Sequence, residues 1–413
     1  MREQNIIGLD IGTSNIRCIV AQIKDGKSKP QILGIGQTPS FGLRRGVVVD
    51  VEEAVKNVVT AVETAERTSG INIEEVVANA GGSDISSRQS KGVIAVSRAD
   101  GEISPEDISR AISAASAISL PQNRETIHVL PQRFTVDGQE QIKDPVGMNG
   151  VRLEVDVLMV DVSSPYLKNL RKTLDESGLD PQALVASPLA AAVAVLTKRQ
   201  KELGVLVLDF GGGTTGLAVF EEGDILHIKI LPIGSAHITN DIAILLRTAV
   251  DVAEKVKLEF GNCVPSQVAK KEMIDLEKLG GEGQYAKQEV AEIIEARVSE
   301  LADLINKELK EIDREGLLPA GVVLVGGGAK LPGLCDLLKE KLRLPVQVGF
   351  PAEFEGVVEK IDDPAFATAA GLIGWFLQGR EENKNNKTIN LPSLPSMGHS
   401  INKIKKWFRG FAP

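Results

Sequence analysis

The chain has 413 residues, 43% of them hydrophobic, enough for two or more globular cores, and aromatics make up only 4%. A formal net charge of −9 argues against a nucleic-acid partner, although the last dozen residues are basic. Three cysteines, Cys18, Cys263 and Cys335, show neither disulfide nor metal spacing, so reduced thiols in a cytoplasmic protein are expected.

The opening residues run straight into a strand pattern, so no signal peptide is expected. Residues 6–23 read as a β-hairpin and Gln31 to Thr38 as a further strand. Val51 to Ser69 has helical spacing, with Val51, Val55, Val58, Val59 and Val62 on one face, and Gly70 stops it. Val76 to Ala80 reads as a short buried strand. From about residue 85 to residue 162 the pattern changes. Strands are predicted at Val93–Val96, Arg133–Val136 and Leu153–Val160, with a helix capped by Ser104 and opened by Pro105, Glu106 and Asp107. This predicts a strand–helix–strand–strand insert in the first half.

Ser163-Ser164-Pro165 caps another helix, which Gly178 closes. Ala183 to Leu196 is the richest apolar stretch; it is too short to span a bilayer and reads as a buried helix. The second half begins at Leu203. Helices are predicted at Ile238–Arg247, Val252–Phe260, Gln288–Ile312, Leu334–Leu342 and Phe366–Leu377, with a buried strand over Gly321–Val325. Residues 380–400 are polar and Pro-interrupted, as in a flexible linker.

Two segments look like copies. Asp10-Ile11-Gly12-Thr13-Ser14 and Asp209-Phe210-Gly211-Gly212-Gly213-Thr214-Thr215 each follow an apolar run, and each leads into a second one. Glycines let backbone N–H groups approach phosphate oxygens. The hydroxyls of Thr13, Ser14, Thr214 and Thr215 can donate to them, and Asp10 and Asp209 can hold a hydrated Mg²⁺. Either motif alone is as well explained by a tight glycine turn; the repeat favours two halves closing on a nucleotide. A third loop, Gly326-Gly327-Gly328-Ala329-Lys330, follows a buried strand and is neither a Walker A loop nor a dinucleotide fingerprint.

The order of these three loops resembles the actin/Hsp70/sugar-kinase superfamily. Within it, Leu231 to Ala243, Ala253 to Lys257 and Ile294 to Leu301 are similar to the FtsA family of bacterial cell-division proteins, and the likeness covers essentially the whole chain. The resemblance implies an α/β, actin-like two-domain fold with duplicated ribonuclease-H-like halves. The first-domain core would be 1–84 and 163–202, with the FtsA-type insert at 85–162. The second-domain core would be 203–228 and 301–379, with a subdomain at 229–300. A linker at 380–400 and an amphipathic helix at 401–413 would follow.

The same resemblance implies ATP and Mg²⁺ as ligands. Asp10, Gly12, Thr13, Ser14 and Asn15 would bind phosphate, with Asp209, Gly211, Gly212, Gly213 and Thr214 opposite. Gly234, Glu254, Lys257, Gly326, Gly327, Gly328 and Lys330 would lie by ribose and adenine. An exposed helix face of mixed charge is the plain alternative for Glu254 and Lys257. Superfamily chaperones carry a water-positioning Glu where this chain has Ser187, so tight binding and slow hydrolysis are expected. Arg297 and Glu300 read either as an intrahelical ion pair or, from the family, as the site for the C-terminal peptide of the tubulin-like protein FtsZ.

On a helix at ~100° per residue, Ile401, Ile404, Trp407, Phe408 and Phe411 share one face, with Lys403, Lys405, Lys406 and Arg409 on the other. That pattern suits an interfacial helix on anionic lipid; docking on the protein's own surface or in a partner groove are the alternatives. The expected function is an ATP-binding filament former that ties the FtsZ ring to the inner face of the cytoplasmic membrane and recruits later division proteins. A small-molecule kinase or phosphohydrolase, a chaperone and a pilus-assembly actin homologue are the competing readings.

Overall fold

The computed structural model describes residues 3–24, 29–117 and 121–385. The chain opens with an antiparallel meander of β1 (Glu3–Ile11), β2 (Asn15–Lys24) and β3 (Gln31–Pro39). A small hairpin, β4 (Leu43–Arg44) and β5 (Val47–Val48), leads to α1 (Val51–Ser69) and to β6 (Glu75–Ala80), which runs parallel to β1. Next come β7 (Ser86–Ala95), α2 (Pro105–Ser116), β8 (Arg124–Val136), β9 (Gln139–Ile142) and β10 (Arg152–Ser163). The chain returns through α3 (Ser164–Glu176), β11 (Asp180–Ala186), α4 (Ser187–Val195) and α5 (Lys198–Leu203).

A second meander follows: β12 (Val205–Phe210), β13 (Thr215–Glu221) and β14 (Asp224–Leu231). Then come α6 (Ser235–Leu245), α7 (Val250–Phe260), the hairpin β15 (Met273–Asp275) and β16 (Gln284–Ala286), and α8 (Lys287–Glu311). The last elements are β17 (Val322–Val325), α9 (Leu334–Leu342), β18 (Val346–Val348), β19 (Glu355–Gly356) and α10 (Ala367–Asn385). One sheet has the order β11-β6-β1-β2-β3-β19 and the other β18-β17-β12-β13-β14-β7-β10-β8-β9. The runs β11-β6-β1-β2-β3 and β18-β17-β12-β13-β14 are the same arrangement: a meander extended by two parallel strands. The repeat seen in two short motifs therefore extends to two whole sheets.

Local chemistry sets the element boundaries. Asp50 accepts from the Glu53 N–H at the start of α1, and Gly70 ends it in the left-handed conformation. Ser104 and Asp107 form a capping box on α2, with Pro105 at its first position. Of the α1 valines read as one face, only Val58 and Val62 are buried, together with Ala54, Ala61 and Ala65. The small residues face β3, where a side chain on Gly36 would overlap the Ala61 carbonyl.

Two helices lie between the sheets. α4 carries Ala190, Ala191 and Ala192 and α10 carries Ala369 and Ala370, all fully buried. A Cβ on Gly371 of α10 would overlap the Ala190 carbonyl of α4, so the backbones touch. α10 lies on β1, where Gly8 faces the Ala369 carbonyl, and α4 lies on β13, where Gly216 faces Pro188. One buried cluster then takes in Leu9 and Val77 of the first sheet, Val207 and Ala218 of the second, and Ala191 and Leu372 between them.

The insert joins the second sheet although it leaves the chain in the first half. β7 meets β14 at Ser86 and Lys229. Beside that pair, the Ser87 hydroxyl donates to the Ile228 carbonyl at 2.9 Å and accepts from its N–H at 2.8 Å. Gln132 Nε2 donates to the Ile225 carbonyl at 2.5 Å, and Lys143 Nζ lies 2.6 Å from Asp224. Further in, His128 Nε2 of β8 accepts from the Ala186 N–H at 3.0 Å, next to α4, and its ring tilts against Trp375 of α10.

Three expectations need correction, and one strand has no counterpart in the sequence reading. Ala183–Ala186 end a strand, and the buried helix starts only at Ser187, because Ser187-Pro188 supplies a helix start rather than an interruption. The strand at Val93–Val96 instead spans Ser86–Ala95; its first half is polar because it forms the seam with β14. β14 itself follows the Glu222-Gly223 turn and extends the second hairpin into a meander. α10 continues to Asn385, six residues into the expected linker. Residues 386–400 of that linker and the helix expected at 401–413 lie outside the described residues.

Replacing Gly371 with valine forces a side chain into the α4 backbone. Gly371→Val should lower unfolding stability by roughly 1–3 kcal/mol, read by denaturant titration.

Candidate functional site

The two copied loops fold alike. The Gly12 N–H donates to the Asn15 carbonyl at 3.1 Å, and the Gly211 N–H to the Thr214 carbonyl at 3.0 Å. They also meet: a side chain on Gly212 would collide with Ser14, and one on Gly213 would lie 2.8 Å from Thr13. The second loop is strapped to α6, whose Ser235 and Ala236 N–H groups donate to the Gly211 and Gly212 carbonyls at 2.9 and 2.8 Å. Gly326 has a φ of +86°, and a Cβ there would lie 2.6 Å from an Asp209 oxygen, so only glycine brings the third loop this close.

These loops enclose a cleft of about 600 Å³. Its walls include Asp10, Gly12, Thr13, Ser14, Asn15, Asp209, Gly211, Gly212, Thr214, Glu254, Lys257, Gly326, Gly327, Gly328 and Lys330. Gly213 and Gly234 do not line it; Gly213 packs on Thr13, and Gly234 lies behind the second loop against the Gly212 carbonyl. Thr215 is fully buried and donates to the Ile233 carbonyl at 2.7 Å, so the expectation that its hydroxyl meets a ligand is overturned. The Thr13 hydroxyl accepts from the Gly46 N–H at 2.9 Å and fixes the first loop to the β4–β5 hairpin.

Asp10 and Asp209 face this cleft from the ends of β1 and β12. Burial pushes the Asp10 carboxyl up to about 7; Arg17, 3.7 Å away, pulls it down, and the nearby Asp209 adds to the rise. Burial also raises Asp209, opposed by the Thr368 hydroxyl, which donates to its Oδ2 at 3.1 Å, and by Arg17. No group of three or more metal-ligating side chains occurs among the described residues. Two converging carboxylates suit Mg²⁺, which keeps most of its waters, better than a dehydrated ion.

Across the cleft, Lys257 is buried and bonds Glu254 at 2.7 Å and the Thr239 hydroxyl at 2.8 Å. Its ammonium is thus held in place, unlike that of an exposed helix-face lysine. Lys330 pairs with Asp363. Arg297 and Glu300 sit on α8, outside the cleft. Arg297 gives Nε and Nη2 to Asp241 at 2.6 and 2.8 Å and Nη1 to Glu300 at 2.5 Å. The intrahelical pair is present, but the fork-shaped contact is with Asp241 on α6, which the sequence spacing does not reveal.

Several cleft residues escape the motif reading: Arg17, Asn79 and Thr368. Asn79 carried a signal, a polar residue in the otherwise apolar run Val76 to Ala80. Ser187 lines the cleft at the first turn of α4, and its hydroxyl donates to the Ala80 carbonyl at 3.1 Å. No carboxylate stands at that position.

A model of the cell-division protein FtsA matches residues 206–371, and one of the SHS2 domain inserted in FtsA matches residues 82–161. The chain is 34% identical to FtsA of Pseudomonas aeruginosa, covering 98% of this chain and 97% of that one. The chain belongs to the FtsA family. With FtsA of Bacillus subtilis it is 37% identical over 91% of its own length and 85% of the relative's. Among solved structures, the PilM–PilN type IV pilus biogenesis complex matches with a TM-score of 0.63 at 19% identity, covering 89% of this chain and 97% of that one. MreB5 of Spiroplasma citri bound to ADP matches with a TM-score of 0.54 at 16% identity, covering 93% and 99%. The fold is thus the actin-like, duplicated α/β fold of the FtsA family, with the family's insert. Family membership selects a cell-division protein over the kinase and pilus-assembly readings.

The upward shift of the Asp10 carboxyl has a measurable sign. Its folded value lies above the ordinary 3.8, so its contribution to stability is complete below that pH and is lost as pH rises through about 7. Melting of the ligand-free protein should decline across that window, and Asp10→Asn should flatten the decline.

Proposed function

We propose that this FtsA-family protein binds Mg²⁺–ATP between its halves and uses the bound nucleotide to set their closure for polymerisation on a membrane. The observation that carries the reading is the meeting of two copied glycine loops at one cleft, each with a strand-end aspartate facing it, Asp10 buried and Asp209 half-buried. The backbone N–H groups and hydroxyls of both loops would hold phosphate oxygens from two sides. Asp10 and Asp209 would hold Mg²⁺ through its waters, and the ion would shield phosphate charge. Glu254 and Lys257, fixed by Thr239, would border the ribose and adenine, with Gly326 to Gly328 and Lys330 on the far wall. The ADP bound to MreB5 of Spiroplasma citri, a neighbour in fold, supports this reading.

Hydrolysis would be slow. Ser187 donates its proton to a carbonyl and cannot act as a carboxylate base, so it can orient a water without activating it. The remaining roles follow from the chain outside the cleft. The face formed by Ile401, Ile404, Trp407, Phe408 and Phe411 would enter anionic lipid at the inner face of the cytoplasmic membrane, at the division site. One short helix binds weakly, so filaments would add avidity. The insert and the two halves would supply the self-contacts and receive later division proteins.

An anionic lipid monolayer with ATP tests the whole reading. Negative-stain microscopy should show filaments for the intact chain and none for a chain lacking residues 401–413, with phosphate release far below about 10 s⁻¹. Filaments of the shortened chain on the same monolayer would overturn the tether.

The FtsZ C-terminal peptide would bind along α8. Arg297 would exchange Asp241 or Glu300 for a peptide carboxylate, a swap between like partners with little net desolvation. Arg297→Glu should weaken the peptide by about tenfold or more, that is ~1.4 kcal/mol, by fluorescence anisotropy; unchanged affinity would remove Arg297 from the site.

A further inference from the structure

We propose that Asn79 is a positioning residue for Asp10, and that the two halves of the cleft hold their aspartates by different means. The inference rests on the nucleotide reading of the cleft. Asn79 lies near the end of β6, one step beyond the paired residues Leu9 and Ala78, so it stands beside Asp10. Its side chain is buried and lines the cleft.

The amide has one orientation. Oδ1 accepts from the Ile11 N–H at 2.7 Å, and a flipped amide would set two donors against each other. Both hydrogens of Nδ2 therefore point the other way. One goes to Asp10 Oδ1 at 2.8 Å and the other to Ser187 Oγ at 3.0 Å. Ser187 in turn donates to the Ala80 carbonyl at 3.1 Å. A single amide thus ties together the entry of the first phosphate loop, the acid and the first turn of α4.

The second half supplies an internal comparison. β17 lies beside β12 as β6 lies beside β1, and Asp209 pairs there with Val325, which has no polar side chain. α10 takes the place of α4, and the Thr368 hydroxyl in its first turn reaches Asp209 Oδ2 directly at 3.1 Å. The task is the same: a hydroxyl in the first turn of a buried helix restrains the acid at a strand end. The second half does it in one bond, the first half in two through Asn79. Asp10 Oδ1 is committed to the amide, which leaves Oδ2, 3.7 Å from Arg17, for a magnesium-bound water. Without the amide the carboxylate is free to rotate, and the Ile11 N–H and Ser187 lose a partner each.

The test is binding of a fluorescent ATP analogue to the full chain, once with Mg²⁺ and once with EDTA. Asn79→Ala should lose about tenfold or more of the affinity gained with Mg²⁺, as loss of an outer-shell partner does, and keep the metal-free affinity. A residue that merely supports the fold would weaken both arms alike. Ser187→Ala keeps the Asn79–Asp10 bond and loosens its far anchor; it should show a smaller, Mg²⁺-specific loss, and it serves if Asn79→Ala does not fold. Equal losses in both arms, or an undiminished Mg²⁺ gain in both variants, would overturn the role of Asn79 while leaving nucleotide binding intact. A wild-type chain that binds no nucleotide would overturn the reading of the cleft, and this inference with it.

Discussion

The structure depends on the contact between α4 and α10. Two sheets that each need a cover are served by one pair of helices, and the pair fits only because its meeting surface is nearly free of side chains. Gly371 against the Ala190 carbonyl brings the backbones together, and alanines fill the rest. The exchange is reciprocal: α4, which follows the first sheet's strand β11, lies on β13 of the second, and α10, at the other end of the chain, lies on β1 of the first. The same contact places the first turns of both helices beside the strand-end aspartates. Packing at the centre therefore determines the chemistry at the cleft floor.

That floor is built to restrain charge. Burial raises the cost of ionising both Asp10 and Asp209, the charge of Asp209 adds to the cost at Asp10, and the two share Arg17 as their nearby cation. A hydrated divalent ion bound there would relieve this arrangement, and its binding would then add to the stability of the fold. The Ser187 hydroxyl bonds to a carbonyl and an amide, and the Thr368 hydroxyl to the Asp209 carboxylate.

The sequence exposes what is local and periodic. The paired loops, the helix stop at Gly70, the helix cap at Ser104 and the insert pattern depend on neighbours within a few residues, and they stand where expected. What stays hidden is long-range. Ala183 to Leu196 reads as one buried helix until β11 is seen to end at Ala186, and the polar start of β7 carries no strand pattern until β14 supplies its partner. Asn79, Thr368 and Asp241 act on residues 69, 159 and 56 positions away, distances at which spacing carries no information. Thr215 shows the converse: a hydroxyl inside the second copied motif, turned inward at the start of its strand.

The seam between β7 and β14 gives the molecule a mechanical character. The insert is covalently part of the first half, yet it is bonded edge-on to the second through one register pair and a short row of side chains. A load pulling the insert along the strands would strain all of these bonds together, whereas a load lifting it away would open them one after another. The same joint is therefore stiff in one direction and yielding in the other. A partner gripping the insert would be resisted or released according to the angle of its pull.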